Sequence, residues 1–149
     1  MSNAVAVRTA VPTDAPILAT LLEALAASLG EPCPARSEYA AEVLRTGRCQ
    51  VLLAVRDGAA LGMLSYYLHP SLYHAADSCL IEELVVAPEA RGQGVGAVLL
   101  EEAMHRARQR GCVEVGLSVM NSNRDAQRFY EQHGFEADAV YMERHLTSE

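Results

Sequence analysis

The sequence predicts an α/β fold of the α+β type, a mixed and mostly antiparallel sheet with helices on both faces, and three observations carry that prediction. Stretches with apolar residues at helical spacing alternate with β-branched runs along 149 residues, without repeats or low-complexity tracts. The dipeptide Asp57-Gly58 between two apolar runs signals a tight antiparallel hairpin. Further on, the order strand, glycine-rich turn, helix, strand makes the sheet mixed.

The elements follow in order. Val5–Val11 reads as a first strand. Asp14 is placed to cap a helix in which Ile17, Leu18, Leu21, Leu22 and Leu25 recur at helical spacing, and Pro16 sits in its first turn, where a missing N–H costs little. Ser37–Arg45 is expected to be a short second helix with Tyr39, Val43 and Leu44 on its apolar side. Strands Gln50–Val55 and Ala60–Leu68 flank the hairpin turn, Pro70–Asp77 is a loop, and Cys79–Val86 is a strand. A helix from Gly94 to Arg110 is expected to bury Val95, Val98, Leu99, Ala103 and Ala107, with arginines in its last turn and Gly111 as its stop. Val113–Met120 is a strand, Asn123–His133 a helix and Val140–His145 a closing strand.

Length and composition set bounds on function. A chain of 149 residues with 50% hydrophobic residues can bury a sizeable core, so a single domain over residues 1–149 is expected. Cys33, Cys49, Cys79 and Cys112 lie far apart with no Cys-x-x-Cys, and they read as buried thiols in a reducing compartment. His69, His74, His105, His133 and His145 share no ligand spacing, so no metal is expected. With neither a charged-then-apolar leader nor an apolar run of roughly 20 residues, the expected location is the cytoplasm, without a membrane partner. A net charge of -7 argues against a nucleic-acid partner and favours a cationic substrate.

The most informative stretch joins the β-branched run Ile81–Val86 to the turn Arg91-Gly92-Gln93-Gly94-Val95-Gly96-Ala97 at the start of a helix. Glycine lets backbone N–H groups crowd against an anion, and the first N–H groups of a helix are unpaired and carry the positive end of its dipole. Three phosphate cradles compete for this pattern. A P-loop needs Lys-Ser or Lys-Thr after its last glycine, where this chain has Ala97-Val98. A dinucleotide fingerprint fits Gly92, Gly94 and Ala97, but the next strand ends Leu117-Ser118-Val119-Met120-Asn121 without the acid that holds a ribose. The third is Arg/Gln-x-x-Gly-x-Gly/Ala, matched by Arg91, Gly94 and Gly96 after a strand ending Val-x-Pro. With the second block Asn123-Arg124-Asp125-Ala126-Gln127-Arg128-Phe129-Tyr130, followed by Gly134-Phe135, the chain resembles the GNAT family of N-acetyltransferases.

The resemblance implies a twisted sheet of six to seven strands with a splayed parallel pair at its centre, and acetyl-coenzyme A as cosubstrate. Its diphosphate would sit on Arg91, Gly92, Gln93, Gly94, Val95, Gly96 and Ala97. Its pantetheine arm would pair with main-chain groups of Leu84, Val85 and Val86, with Asn123 adding a hydrogen bond. An N–H of Val85 or Val86 would hold the oxyanion. Tyr130 matches the family tyrosine that protonates the departing thiolate. An amine also needs a base. Glu82 and Glu83 interrupt an otherwise apolar strand, and strict alternation lets one of them face the acceptor. Glu82 matches the first carboxylate of the pair in polyamine acetyltransferases, a bulge would reverse the choice, and a water chain is the alternative. Tyr73 and His74 are placed to touch substrate. The expected reaction is direct transfer to a small-molecule primary amine, with a protein N-terminus, a lysine or an aminoalkylphosphonate as alternative acceptors. A homodimer is in keeping with relatives, and a non-catalytic acetyl-coenzyme A sensor is the alternative of another class.

Overall fold

The computed structural model describes residues 4–147. By internal contact these form two compact units, one running to Gly116 and one starting at Leu117. The first unit carries β1 (Ala6–Thr9), α1 (Ala15–Leu29), α2 (Ser37–Thr46), β2 (Gln50–Arg56), β3 (Ala59–Ser71), β4 (Ala76–Val86) and α3 (Val95–Gln109). A short strand β5 (Val115–Leu117) follows, and the second unit carries α4 (Arg124–Gln132). The sheet order is β1-β2-β3-β4-β5.

The first three junctions are antiparallel. At the last, Val113 N donates to Asp77 O and Cys79 N to Glu114 O, both at 3.0 Å, with numbers rising together as in a parallel pair. The mixed class is as expected, with five strands among the described residues in place of six or seven. Among the described residues the expected parallel pair is β4 and β5, which stand last in the sheet order. Val140–His145, expected to close the sheet, forms no strand, and Val140 and Met142 are 86% exposed.

Local chemistry explains most boundaries. Asp57 and Gly58 take φ of 51° and 78°, the left-handed pair that a two-residue hairpin requires. Gly111 ends α3 at φ 76°, and Cys112 N reaches back to Ala107 O at 3.0 Å. The expected loop at Pro70–Asp77 shrinks to the turn 72–75, because Pro70 pairs with Asp77 and Ser71 with Ala76 at a free hairpin end, where a proline's missing donor is tolerated.

Asp14 does not cap α1 with its side chain. It ends a 3-10 turn, Pro12–Asp14, and its carboxylate turns back to accept from Val11 N (2.8 Å) and from Arg8 Nη1 and Nη2 (2.7 and 2.9 Å). Its carboxyl is thereby held below the ordinary range, mainly by the Arg8 hydrogen bonds and against its burial.

The core lies on the sheet. Leu52, Leu53, Met63, Leu64, Leu99 and Leu100 are at most 2% exposed. Helix α3 buries Leu100 where the periodicity pointed to Val98, which is 38% exposed, and α1 buries Ala15, Leu18 and Leu21 but leaves Ile17 outside. Tyr39 is exposed, and of the four cysteines only Cys79 is buried. Among the described residues, no helix is long and apolar enough to cross a membrane.

Candidate active site

The carboxylates of β4 sit at an irregularity. Ser65 of β3 pairs with Glu83, but Tyr66 pairs with Ile81, so Glu82 is the extra residue of a β-bulge. A bulge interrupts strict alternation, so the two glutamates are not held to opposite faces. Glu82 is exposed. Glu83 is half-buried, and its side chain is tied to Ser65, which is 3% exposed. Ser65 Oγ donates to Glu83 Oε2 and accepts from Glu83 N at 3.0 Å. Burial pushes the Glu83 carboxyl up, the Ser65 hydrogen bond opposes this, and the charge of Glu82 adds to the rise. Cys49, just ahead of β2, donates from Sγ to Tyr66 O at 3.3 Å. Burial, then the charge of Glu83, pushes its thiol to about 11, which leaves it protonated and unsuited to nucleophilic attack.

Past the bulge, β4 presents an ordered edge. Ala87 N donates to Leu61 O at 2.8 Å. Antiparallel alternation then turns the peptide groups of Val85 toward Met63, its partner on β3, and those of Leu84 and Val86 toward the other edge. β5 is three residues long against eleven in β4, so the outward groups near Val86 run beyond it.

The glycine loop follows at once. Gly92 and Gly94 take φ of 75° and 78°, and a Cβ built on either meets nothing within 4 Å, so the space above both is open. Gly94 is the N-cap of α3 and no side chain caps it. The first bond of the helix runs from Val98 N to Gly94 O at 3.1 Å, which leaves the N–H groups of Val95, Gly96 and Ala97 without intrahelical acceptors. Arg91 is exposed and makes no ion pair among the described residues. Gln93 bridges the loop, accepting from Arg56 Nη2 at 2.6 Å and donating to Glu89 O at 3.2 Å. Open glycines, orphan donors and a free guanidinium fit a diphosphate.

Tyr73 and His74 occupy the tip of the β3–β4 hairpin, where Tyr73 is 93% exposed. Glu83 lies seven steps along β4 from Ala76, roughly 23 Å at about 3.3 Å each, so the structure does not bring these side chains to the carboxylates. His74 hydrogen-bonds Ser71 Oγ through Nδ1 at 3.0 Å. A cavity of about 420 Å³ lies elsewhere, among Gln50, Tyr66, Leu68 and the C-terminal half of α3, and contains none of the expected site residues.

The second unit holds Asn123 and Tyr130. Asn123 caps α4, its side chain accepting from Ala126 N at 3.1 Å. The Tyr130 ring lies edge-on to Phe129 and Phe135, with centroids 5.1 and 5.7 Å away. Gly134, at φ 88°, turns the chain so that Phe135 N reaches Tyr130 O at 3.0 Å. Burial raises the Tyr130 hydroxyl above its ordinary value, so it keeps its proton at neutral pH.

Sequence reasoning missed Ser65, Cys49 and Arg56. A buried serine within the apolar run of β3 was the available signal for the first, whereas Arg56 reaches Gln93 only through the folding of the sheet.

Comparison with known proteins places the chain. The model of the acetyltransferase (GNAT) family matches residues 18–135, and the chain belongs to that family. It is 43% identical over 83 residues to the aminoalkylphosphonate N-acetyltransferase of Salmonella typhimurium (strain LT2), covering 56% of this chain and 54% of that protein. It is 35% identical over 88 residues to the aminoglycoside N(6')-acetyltransferase type 1 of Klebsiella aerogenes, covering 57% and 58%. The chain thus spans about half the length of the curated relatives it matches. Among solved structures, the ribosomal-protein-alanine N-acetyltransferase of Brucella melitensis biovar Abortus 2308 superposes with a TM-score of 0.81 at 25% identity, covering 95% of this chain and 99% of that one.

Proposed function

We propose that the chain is an acetyl-coenzyme A-dependent N-acetyltransferase, acting as one domain over residues 1–149 in the cytoplasm and acetylating a primary amine of a small molecule. The observation that carries this reading is the succession along β4: a half-buried carboxylate at a bulge, an edge of outward peptide groups, then an uncapped, glycine-led helix start. The N–H groups of Val95, Gly96 and Ala97, with Arg91, would hold the diphosphate, and Gln93 with Arg56 would brace the loop. Leu84 and Val86 would pair with the pantetheine amides, and one of their N–H groups would receive the oxyanion.

In the reaction the amine nitrogen attacks the thioester carbonyl carbon, the C–S bond breaks, and an amide and coenzyme A result. Two protons must move. Glu83 takes one from the amine, and its raised pKa brings a carboxylate closer to the basicity that this task needs. The choice moves from Glu82 to Glu83 because the bulge leaves Glu82 exposed. Tyr130, on the family resemblance, gives the other proton to the thiolate, and Asn123 lends the arm a hydrogen bond. Paired carboxylates favour a cationic acceptor. The likeness to an aminoalkylphosphonate N-acetyltransferase supports a second reading, in which the amine also carries a phosphonate. Tyr73 and His74 would meet only a long acceptor. A homodimer without nucleic-acid or membrane partners completes the proposal.

The test is thiol release from acetyl-coenzyme A with spermidine, kanamycin, aminomethylphosphonate and an alanine-initiated peptide. Turnover of one of the first three supports the reading, and turnover of the peptide alone overturns the small-molecule assignment. Tight coenzyme A binding without turnover of any acceptor points to a sensor, and absence of coenzyme A binding overturns the reading altogether.

A further inference from the structure

We infer that Ser65 is a positioning residue, which holds the Glu83 carboxylate through Oε2 and leaves Oε1 to meet the incoming amine. This rests on the proposed role of Glu83 and deepens it.

The geometry is reciprocal. One hydroxyl, 3% exposed, accepts the Glu83 backbone N–H at 3.0 Å and donates to the carboxylate of the same residue. A serine that only filled space would need neither bond, and a serine that only satisfied a strand amide would leave the carboxylate free to rotate. With both made, the side chain is locked against its own backbone at the bulge, where the ladder itself no longer orients it. The position also accounts for a hydroxyl in an otherwise apolar run: Leu61, Met63, Leu64 and Tyr66 around it are all buried.

Ser65 also sets the acidity of its partner. The groups facing Glu83 are Glu82 on its own strand, Ser65 on β3 and Cys49 ahead of β2. Burial and Glu82 favour the protonated acid, and the Ser65 hydroxyl, by donating, favours the carboxylate that must act as base. Removing that donor moves the acid limb of turnover to higher pH by about one unit, the size expected for one hydrogen bond to a charged group.

The experiment compares Ser65→Ala, Ser65→Thr and Glu83→Gln with the wild type, using the pH profile of kcat/KM with whichever acceptor named above is turned over. Titration of the glutamate carboxyl 13C resonances, with Glu83→Gln identifying the Glu83 signal, needs no acceptor. For Ser65→Ala the expected result is an acid limb and a Glu83 resonance displaced upward by about one unit, an unchanged KM for acetyl-coenzyme A, and rescue by Ser65→Thr. An unmoved limb and resonance in Ser65→Ala, with the limb abolished in Glu83→Gln, overturns the role of Ser65 alone. A limb that survives in Glu83→Gln overturns the base assignment, and the role of Ser65 with it. Should Ser65→Ala fail to fold, Ser65→Cys keeps the shape with a weaker donor, and the same displacement, in smaller measure, is required of it.

Discussion

Gly62→Ala is the perturbation whose cost follows most directly from the coordinates. Gly62 pairs with Val86. A Cβ there would stand 2.6 Å from Val85 O and 3.3 Å from both Val95 Cγ1 and Leu99 Cδ1. The two methyls can yield by a few tenths of an ångström, but the carbonyl belongs to a strand paired along its length. Relief must come from β4 lifting off β3. Overpacking of this kind costs about 1–3 kcal/mol, and one weakened backbone hydrogen bond adds about 1 kcal/mol. The lower chain entropy of alanine in the unfolded state returns about 0.4–1 kcal/mol. A net loss of about 2–3 kcal/mol is expected, with a Tm lower by roughly 8 °C for a chain of this size. Urea unfolding followed by circular dichroism measures it directly. Coenzyme A affinity should fall as well, because Val85 lies between the two residues assigned to the pantetheine arm. Gly116→Ala is the control, since its Cβ would meet only Leu80 Cδ1, at an ordinary 3.6 Å. A Gly62→Ala loss below about 1 kcal/mol, or one equal to that of Gly116→Ala, refutes the claim that this close approach requires glycine.

Gly94→Ala tests the cradle differently. Its Cβ meets no protein atom, so melting should change only by the modest strain of a left-handed alanine, while isothermal titration shows coenzyme A binding weakened at least about tenfold; undiminished affinity removes the loop as the diphosphate site. Tyr130→Phe should lower turnover by about 10²-fold or more while cofactor affinity stays within about threefold, and unaltered single-turnover rates dismiss it as the acid. Asp14→Asn should cost about 1–2 kcal/mol at neutral pH, as the ionic hydrogen bonds to half-exposed Arg8 weaken. The sign with pH follows from the lowered carboxyl: the native state binds its proton less readily than the unfolded chain. Its stabilisation is therefore present above the ordinary carboxylate range and lost as pH falls through the depressed value. A wild-type acid-unfolding curve that overlays that of Asp14→Asn contradicts this account.

What could be read in the chain was local. Hairpin and helix ends depend on the backbone preference of single residues, so Asp57-Gly58, Gly111 and Asn123 mark their turns and cap wherever the rest of the chain goes. The cradle is likewise contiguous, from Arg91 to Ala97, and its glycines act through their own dihedral angles. The readings that failed needed knowledge of a neighbour. The strand expected at Val140–His145 does not form, and the exchange of Val98 for Leu100 in the core of α3 depends on how that helix is rolled against the sheet. Asp14 had the residue type of a cap, but Arg8 and Val11 claimed its carboxylate.

The sequence by itself determined the family, the alternation of elements and the anion-binding turn, because each resides in residues close together along the chain. Only the tertiary structure decided which glutamate is shielded. Pairing of β4 with β3 placed one residue too many opposite Ser65, and that displacement exposes Glu82 and draws Glu83 into contact with a hydroxyl eighteen residues earlier. Strand periodicity can say that two adjacent carboxylates face apart; where the register slips is settled by how two strands pack together, and no single strand carries that information.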